Sequence, residues 1–198
     1  MTITLFLVRH GVHDQLRGRL CGRSPGVRLS EAGVAEADAA GRRLAREGVE
    51  LVLTSPMDRT RQTAERIAQA CGAPLAIEEA LMEIDFGEWN GRTFDSLEGD
   101  PLWRTWNQER DTARPPAGES MAEVQARLSA WLDRIARSGV GAVAAVSHAD
   151  VIKAAVGLST GLSMRFHDRF EVNPGSVTTL ALGQGFLKLH ALNEVPHG

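Results

Sequence analysis

Cysteine, lysine and long apolar runs are all scarce in this sequence, and each scarcity excludes something. Only Cys21 and Cys71 are present, fifty residues apart and without a CxxC pair. Neither a disulfide framework nor a cysteine zinc site is encoded, and a reducing compartment is expected. No segment reaches the roughly 18 uninterrupted apolar residues that a membrane helix requires, so no membrane partner is expected. The opening MTITLFLV is halted by Arg9 and His10, with no basic segment before it and no small-residue cleavage site after it. That is unlike a secretory signal, and a cytoplasmic location is expected. Lysine is limited to Lys153 and Lys188 against twenty arginines, yet the formal net charge is -3. A mildly acidic chain without a clustered basic surface is not expected to bind nucleic acid, a mode that displaces counterions with many cations. The arginine excess reads mainly as compositional bias, although a guanidinium fork also suits phosphate.

What is present fits one globular domain over residues 1–198, with 43% hydrophobic and 24% charged residues. The run ITLFLV, residues 3 to 8, reads as a buried strand. Ser30 is placed to cap a helix that Gly48 stops, with Val34, Ala37, Leu44 and Ala45 on one face. A second strand covers residues 49 to 54. Ser55 and Pro56 follow as N-cap and first residue of a helix that runs to Cys71. A short strand at 74 to 77 leads to a partly helical excursion over 92–118. Met121, Val124, Leu128, Trp131, Leu132 and Ile135 recur at helical spacing within 119 to 137. The remainder is a strand at 140 to 146, a helix from about Asp150 to Val156, and a hairpin around Gly183-Gln184-Gly185. Such alternation predicts an α/β three-layer sandwich, a mostly parallel central sheet flanked by helices, with an antiparallel edge near the tail.

Three polar clusters fall at predicted strand ends: Arg9-His10, Ser55 with Arg59, and Ser147-His148. In open α/β sheets ligands bind beyond those carboxyl ends. Two histidines and two arginines delivered there, beside helix N-termini at Pro56 and near Ala149, describe a site for an oxyanion such as phosphate. Solvated surface arginines and ordinary structural histidines are the alternative. A metal site is a weaker one, because Gly11 interrupts any helix that would put His10 and His13 on one face.

The residues also carry a specific resemblance. Leu7-Val8-Arg9-His10-Gly11 resembles the R-H-G signature of the histidine phosphatase superfamily, also called the phosphoglycerate mutase-like family. Leu29-Ser30-Glu31-Ala32-Gly33 is similar to its L-T/S-x-x-G helix start, and Ser55-Pro56-Met57-Asp58-Arg59 through Gln62-Thr63-Ala64 to its S-P-x-x-R-x-x-Q-T-A block. Leu81-Met82-Glu83 through Phe86-Gly87-Glu88-Trp89-Asn90-Gly91 resembles its L-x-E-x-x-F-G-x-W-E-G block, Pro116-Ala117-Gly118-Glu119-Ser120 its P-x-G-E-S turn, and Val146-Ser147-His148 its V-S-H strand end.

The resemblance implies a phosphoglycerate mutase-like fold and a metal-independent phosphatase without a cofactor, acting on a small phosphorylated metabolite. It implies His10 as nucleophile and Glu83 as proton donor, in preference to Asp85 and Glu88. Arg9, Arg59 and an imidazolium at His148 would surround the phosphoryl oxygens. The segment Val12-His13-Asp14-Gln15-Leu16 departs from the family, which often places Glu and Thr after R-H-G and an Asn a few residues on. His13, Arg17, Arg19, Cys21 and Ala149 are therefore additional binding candidates, and residues 12–28 and 92–118 the expected rim. Phosphoglycerate mutase-type transfer and a non-catalytic phospholigand-binding module are the alternatives. The oligomeric state stays open, with a homodimer among the options.

Overall fold

The computed structural model describes residues 2–16 and 18–197. Strand β1 (Ile3–Arg9) alternates strictly in what it touches. Leu5 and Leu7 enter one core and Phe6 and Val8 the other, so the strand is covered on both faces. Helix α1 (Glu31–Leu44) begins as expected, with the Ser30 side chain accepting the Gly33 N–H at 3.2 Å. Ala45, expected on its packed face, is instead the exposed C-cap.

Strand β2 (Leu51–Thr54) leads to α2 (Asp58–Cys71), whose start corrects the sequence reading. The N-cap is Met57, not Ser55, and no side chain caps it. The Ser55 hydroxyl lies instead 2.9 Å from Nε2 of His148. Strand β3 (Leu75–Ile77) forms one edge of the sheet.

The excursion over 92–118 contains α3 (Phe94–Glu98) and α4 (Pro101–Gln108), capped by Thr93 and Asp100. Trp106 of α4 is fully buried, with its ring edge-on to Phe86 at 6.3 Å. Helix α5 (Met121–Ile135) starts with a full capping box between Ser120 and Glu123. All six apolar residues expected on its inner face are buried. Each such burial contributes roughly 1.5–3 kcal/mol.

Strand β4 (Ala142–Ser147) is buried throughout and feeds α6 (Ala149–Thr160). That helix continues four residues beyond Val156, to a left-handed Gly161 cap. Strands β5 (Val177–Gly183) and β6 (Phe186–Glu194) form the expected hairpin.

Among the described residues the strands form one six-stranded sheet in the order β3-β2-β4-β1-β5-β6. The four strands from β3 to β1 are parallel, and β5 and β6 are antiparallel at the tail. One core joins α1 and α2 to the sheet, and the other joins α5 and α6 to its opposite face. This is the α/β layering the sequence predicted. Its consequence is positional: Arg9 pairs with Ser147 and Thr54 with Val146, so β1, β2 and β4 end level with one another. His10, Ser55 and His148 are the next residues out.

Candidate active site

His10 leaves β1 with its Nδ1 2.8 Å from the carbonyl oxygen of Gly11. A carbonyl can only accept, so Nδ1 carries the proton and Nε2 keeps its lone pair. Burial first, then Arg59 and Arg9, hold His10 well below its ordinary pKa, in the neutral form. Arg59, in the first turn of α2, is the residue that ties the cluster together. Its Nε lies 3.4 Å from His10 Nε2, and its Nη2 donates to the Gly22 carbonyl at 2.7 Å and lies 3.1 Å from His148 Nδ1. Arg9 Nη1 donates to the Val172 carbonyl at 2.6 Å.

Glu83 reaches the same place from the loop between β3 and α3, where its Oε1 accepts the Ile84 N–H at 3.0 Å. Its carboxyl is pushed up to about 7, by burial foremost and then by the charge of Asp150, against the opposing pull of Arg59 and Arg9. Asp85 cannot substitute for it, because its Oδ1 is occupied by the Gly87 N–H and the Asn90 amide. Glu88 is exposed.

Arg9, His10, Arg59 and Glu83 line a cavity of about 160 Å³ together with His13, Arg19, Cys21 and Ala149. Eight of the nine described candidate residues thus line one cavity, Ala149 from the first turn of α6. His148 does not line it. It is wholly buried behind Arg59, its ring centroid 5.3 Å from that of His10 and its Nδ1 3.8 Å from Glu83 Oε2. Burial and then Arg59 hold His148 well below its ordinary pKa, so it is a neutral imidazole here and not the imidazolium expected. Arg17 lies outside the described residues.

Three buried nitrogens on the lining residues have no hydrogen-bond partner among the described residues: Arg9 Nε, Arg59 Nη1 and His13 Nδ1. Unpaired buried donors cost about 1–3 kcal/mol each, more when charged, and an anionic guest would satisfy them. His13 stands 5.4 Å from His10 between ring centroids, and burial with Arg59 lowers its pKa to about 4.

The rim comes from the two expected segments. Leu16, Leu20 and Gly22 of the first and Phe94 of the second line the cavity, and an isolated bridge between Arg19 and Thr93 fastens the segments together. Asp150 also lines the cavity and escaped sequence reading. It is ion-paired to the buried Arg110, whose guanidinium stacks over Trp106 at 5.1 Å. Forty residues separate the partners, so no local pattern announces the pair.

A pH prediction follows from this geometry. Because Glu83 titrates at about 7, its protonated form is present below that value and is lost as pH rises through it. Asp150→Asn removes a charge that favours the protonated form, so any activity needing that proton should lose its alkaline limb at lower pH than wild type. A kcat/KM–pH profile measures this; an unmoved or upward-shifted limb would contradict it.

Among the described residues, no helix is long and apolar enough to cross a membrane, and no group of three or more His, Cys, Asp or Glu is arranged to hold a metal ion.

Comparison with known proteins agrees with this arrangement. The family model for the histidine phosphatase superfamily (branch 1) matches residues 5–195. A bifunctional protein of Mycobacterium tuberculosis is 38% identical over 173 residues, which is 82% of this chain and 47% of that protein. A probable phosphoglycerate mutase of Yersinia pestis is 34% identical over 137 residues, 66% of this chain and 62% of that one. The chain therefore spans between about half and two thirds of the length of the curated relatives it matches. Among solved structures, a mycobacterial glucosyl-3-phosphoglycerate phosphatase in complex with VO3 superposes with a TM-score of 0.85 at 27% identity, covering 97% of this chain and 99% of that one.

Proposed function

The chain belongs to the histidine phosphatase superfamily (branch 1), and on that premise we propose that it hydrolyses a small phosphomonoester through a phosphohistidine on His10, without a metal. The observation that carries the proposal is the pairing, in one cavity, of a neutral His10 whose Nε2 is unprotonated and a Glu83 carboxyl that titrates near 7. Around them stand the buried Arg59 and the half-buried Arg9, each with a buried N–H group without a partner among the described residues.

In the first step His10 Nε2 forms a bond to phosphorus as the ester P–O bond breaks. The departing oxygen keeps the electron pair and takes the proton of Glu83. In the second step water attacks phosphorus and gives a proton to the Glu83 carboxylate. The P–N bond breaks, its electrons return to Nε2, and inorganic phosphate leaves. Nδ1 keeps its proton, donated to the Gly11 carbonyl, throughout. Arg9 and Arg59 supply fixed positive charge where negative charge accumulates on the phosphoryl oxygens, the main stabilisation a protein can offer in a loose transition state.

His13, replacing the family's frequent Thr, would offer a neutral ring nitrogen to one of those oxygens. Leu16, Leu20 and Phe94 would receive the leaving group, with Arg19 at the exposed side. The physiological substrate is proposed as a small phosphorylated metabolite in the cytoplasm. The likeness to a probable phosphoglycerate mutase supports a second reading, phosphoryl transfer to an acceptor in place of water.

The test is hydrolysis of p-nitrophenyl phosphate in excess EDTA, with and without a phosphoglycerate acceptor. Undiminished phosphate release in EDTA is expected. Complete loss in EDTA would refute the metal-free scheme, and transfer to the acceptor in preference to water would favour the mutase.

A further inference from the structure

The Pro116–Ser120 turn lines no part of the cavity, yet its Glu119 is the centre of a charged clasp on the segment that carries Glu83. Glu119 Oε2 accepts from Arg23 Nη2 at 3.0 Å, from Arg127 Nη2 at 3.1 Å and from the Asp85 N–H at 3.3 Å, while Oε1 accepts from Arg127 Nε at 2.8 Å. The arginines held this way turn their remaining donors onto backbone. Arg127 binds the carbonyls of Ala80 at 2.5 Å and Met82 at 2.7 Å, and Arg23 Nε binds that of Glu83 itself at 2.7 Å.

Backbone contacts close the same joint. The Glu119 N–H donates to the Asp85 carbonyl at 2.8 Å and the Glu88 N–H to that of Pro116 at 3.0 Å. The approach requires glycine on both sides: a Cβ on Gly87 would lie 2.0 Å from the Pro116 oxygen, and one on Gly118 2.5 Å from the Asp85 oxygen. Residues 83 to 86 belong to no helix or strand. No regular hydrogen-bond ladder therefore fixes where the Glu83 backbone sits, and the clasp takes over that task.

We infer that Glu119, acting through Arg127 and Arg23, is a positioning residue that sets how closely the Glu83 carboxyl approaches the oxygen leaving phosphorus. This rests on the proposed role of Glu83 as proton donor. A misplacement of about 1 Å can cost on the order of 100-fold in a step that depends on it, and little in a step that does not.

The experiment compares kcat/KM, which reports phosphoenzyme formation, for two aryl phosphates of similar size. Phenyl phosphate leaves poorly and needs the proton; p-nitrophenyl phosphate leaves readily as an anion. In Glu119→Gln, kcat/KM for phenyl phosphate should fall about 30- to 100-fold and that for p-nitrophenyl phosphate less than about 5-fold. Arg23→Met, which removes the bond to the Glu83 carbonyl together with the contacts to Glu119 and Asp85 from a partly exposed side chain and leaves the Arg127 half of the clasp in place, should show the same selectivity in milder form and decides the matter if Glu119→Gln does not fold. Equal losses on both substrates, or none, would overturn the inference. Wild-type enzyme inactive on both would instead overturn the function it rests on.

Discussion

His10→Ala should lower kcat/KM for p-nitrophenyl phosphate by at least about 1,000-fold and abolish any phosphoenzyme, because members of a nucleophile–acid unit fail together when one is removed. The expectation follows from how few groups in the cavity could replace it. Cys21 also lines the cavity, but burial pushes its thiol up, away from the reactive thiolate. His13 is 5.4 Å from His10 between ring centroids, and Arg59 Nε is directed to His10 Nε2. In the proposed mechanism neutral His10 is the state that attacks, and burial among two arginines maintains it into mildly acidic solution. The variant should keep its fold, since the arginines remain bonded to the Val172 and Gly22 carbonyls. Steady-state kinetics beside a thermal melt check this, and a folded variant with undiminished turnover would remove His10 from the mechanism.

Glu83→Gln should cost about 100- to 10,000-fold on a substrate with a poor leaving group, the usual contribution of a positioned acid. Glutamine preserves shape and can donate a hydrogen bond, but it cannot surrender a proton. The pH dependence gives a second signature. Burial and Asp150 raise the Glu83 carboxyl to about 7, so the wild-type rate on phenyl phosphate should decline as pH rises through that value. In Glu83→Gln that limb should disappear, leaving a low and flat rate. A retained limb would assign the titration to another group.

Much of this site was legible because it depends on strand ends. Short apolar runs stopping at Arg9-His10 and Ser147-His148 locate two histidines, and parallel pairing brings them together. The motif blocks single out Glu83 from its neighbours, and in the fold Asp85 is spent on the turn while Glu88 faces solvent. The helix start at Ser55-Pro56 was misplaced because a serine before proline looks like a cap locally, whereas its hydroxyl has a better use against His148. His148 was expected at the phosphate and lies behind Arg59, a depth no pattern encodes. The Arg110–Asp150 pair and the Glu119 clasp were invisible for the same reason. The pair joins residues 40 positions apart and the clasp ties Glu119 to Arg23 across 96, and each charge reads as ordinary surface until the chain is folded.

The central claim is covalent chemistry on one nitrogen, and the direct measurement is to trap it. Enzyme mixed with a phosphomonoester, quenched in alkali and digested, should yield a peptide carrying phosphate on His10. The label should survive base, be lost in acid and be absent from His10→Ala. Rapid hydrolysis with no phosphoenzyme, or phosphate on any other residue, would contradict the account.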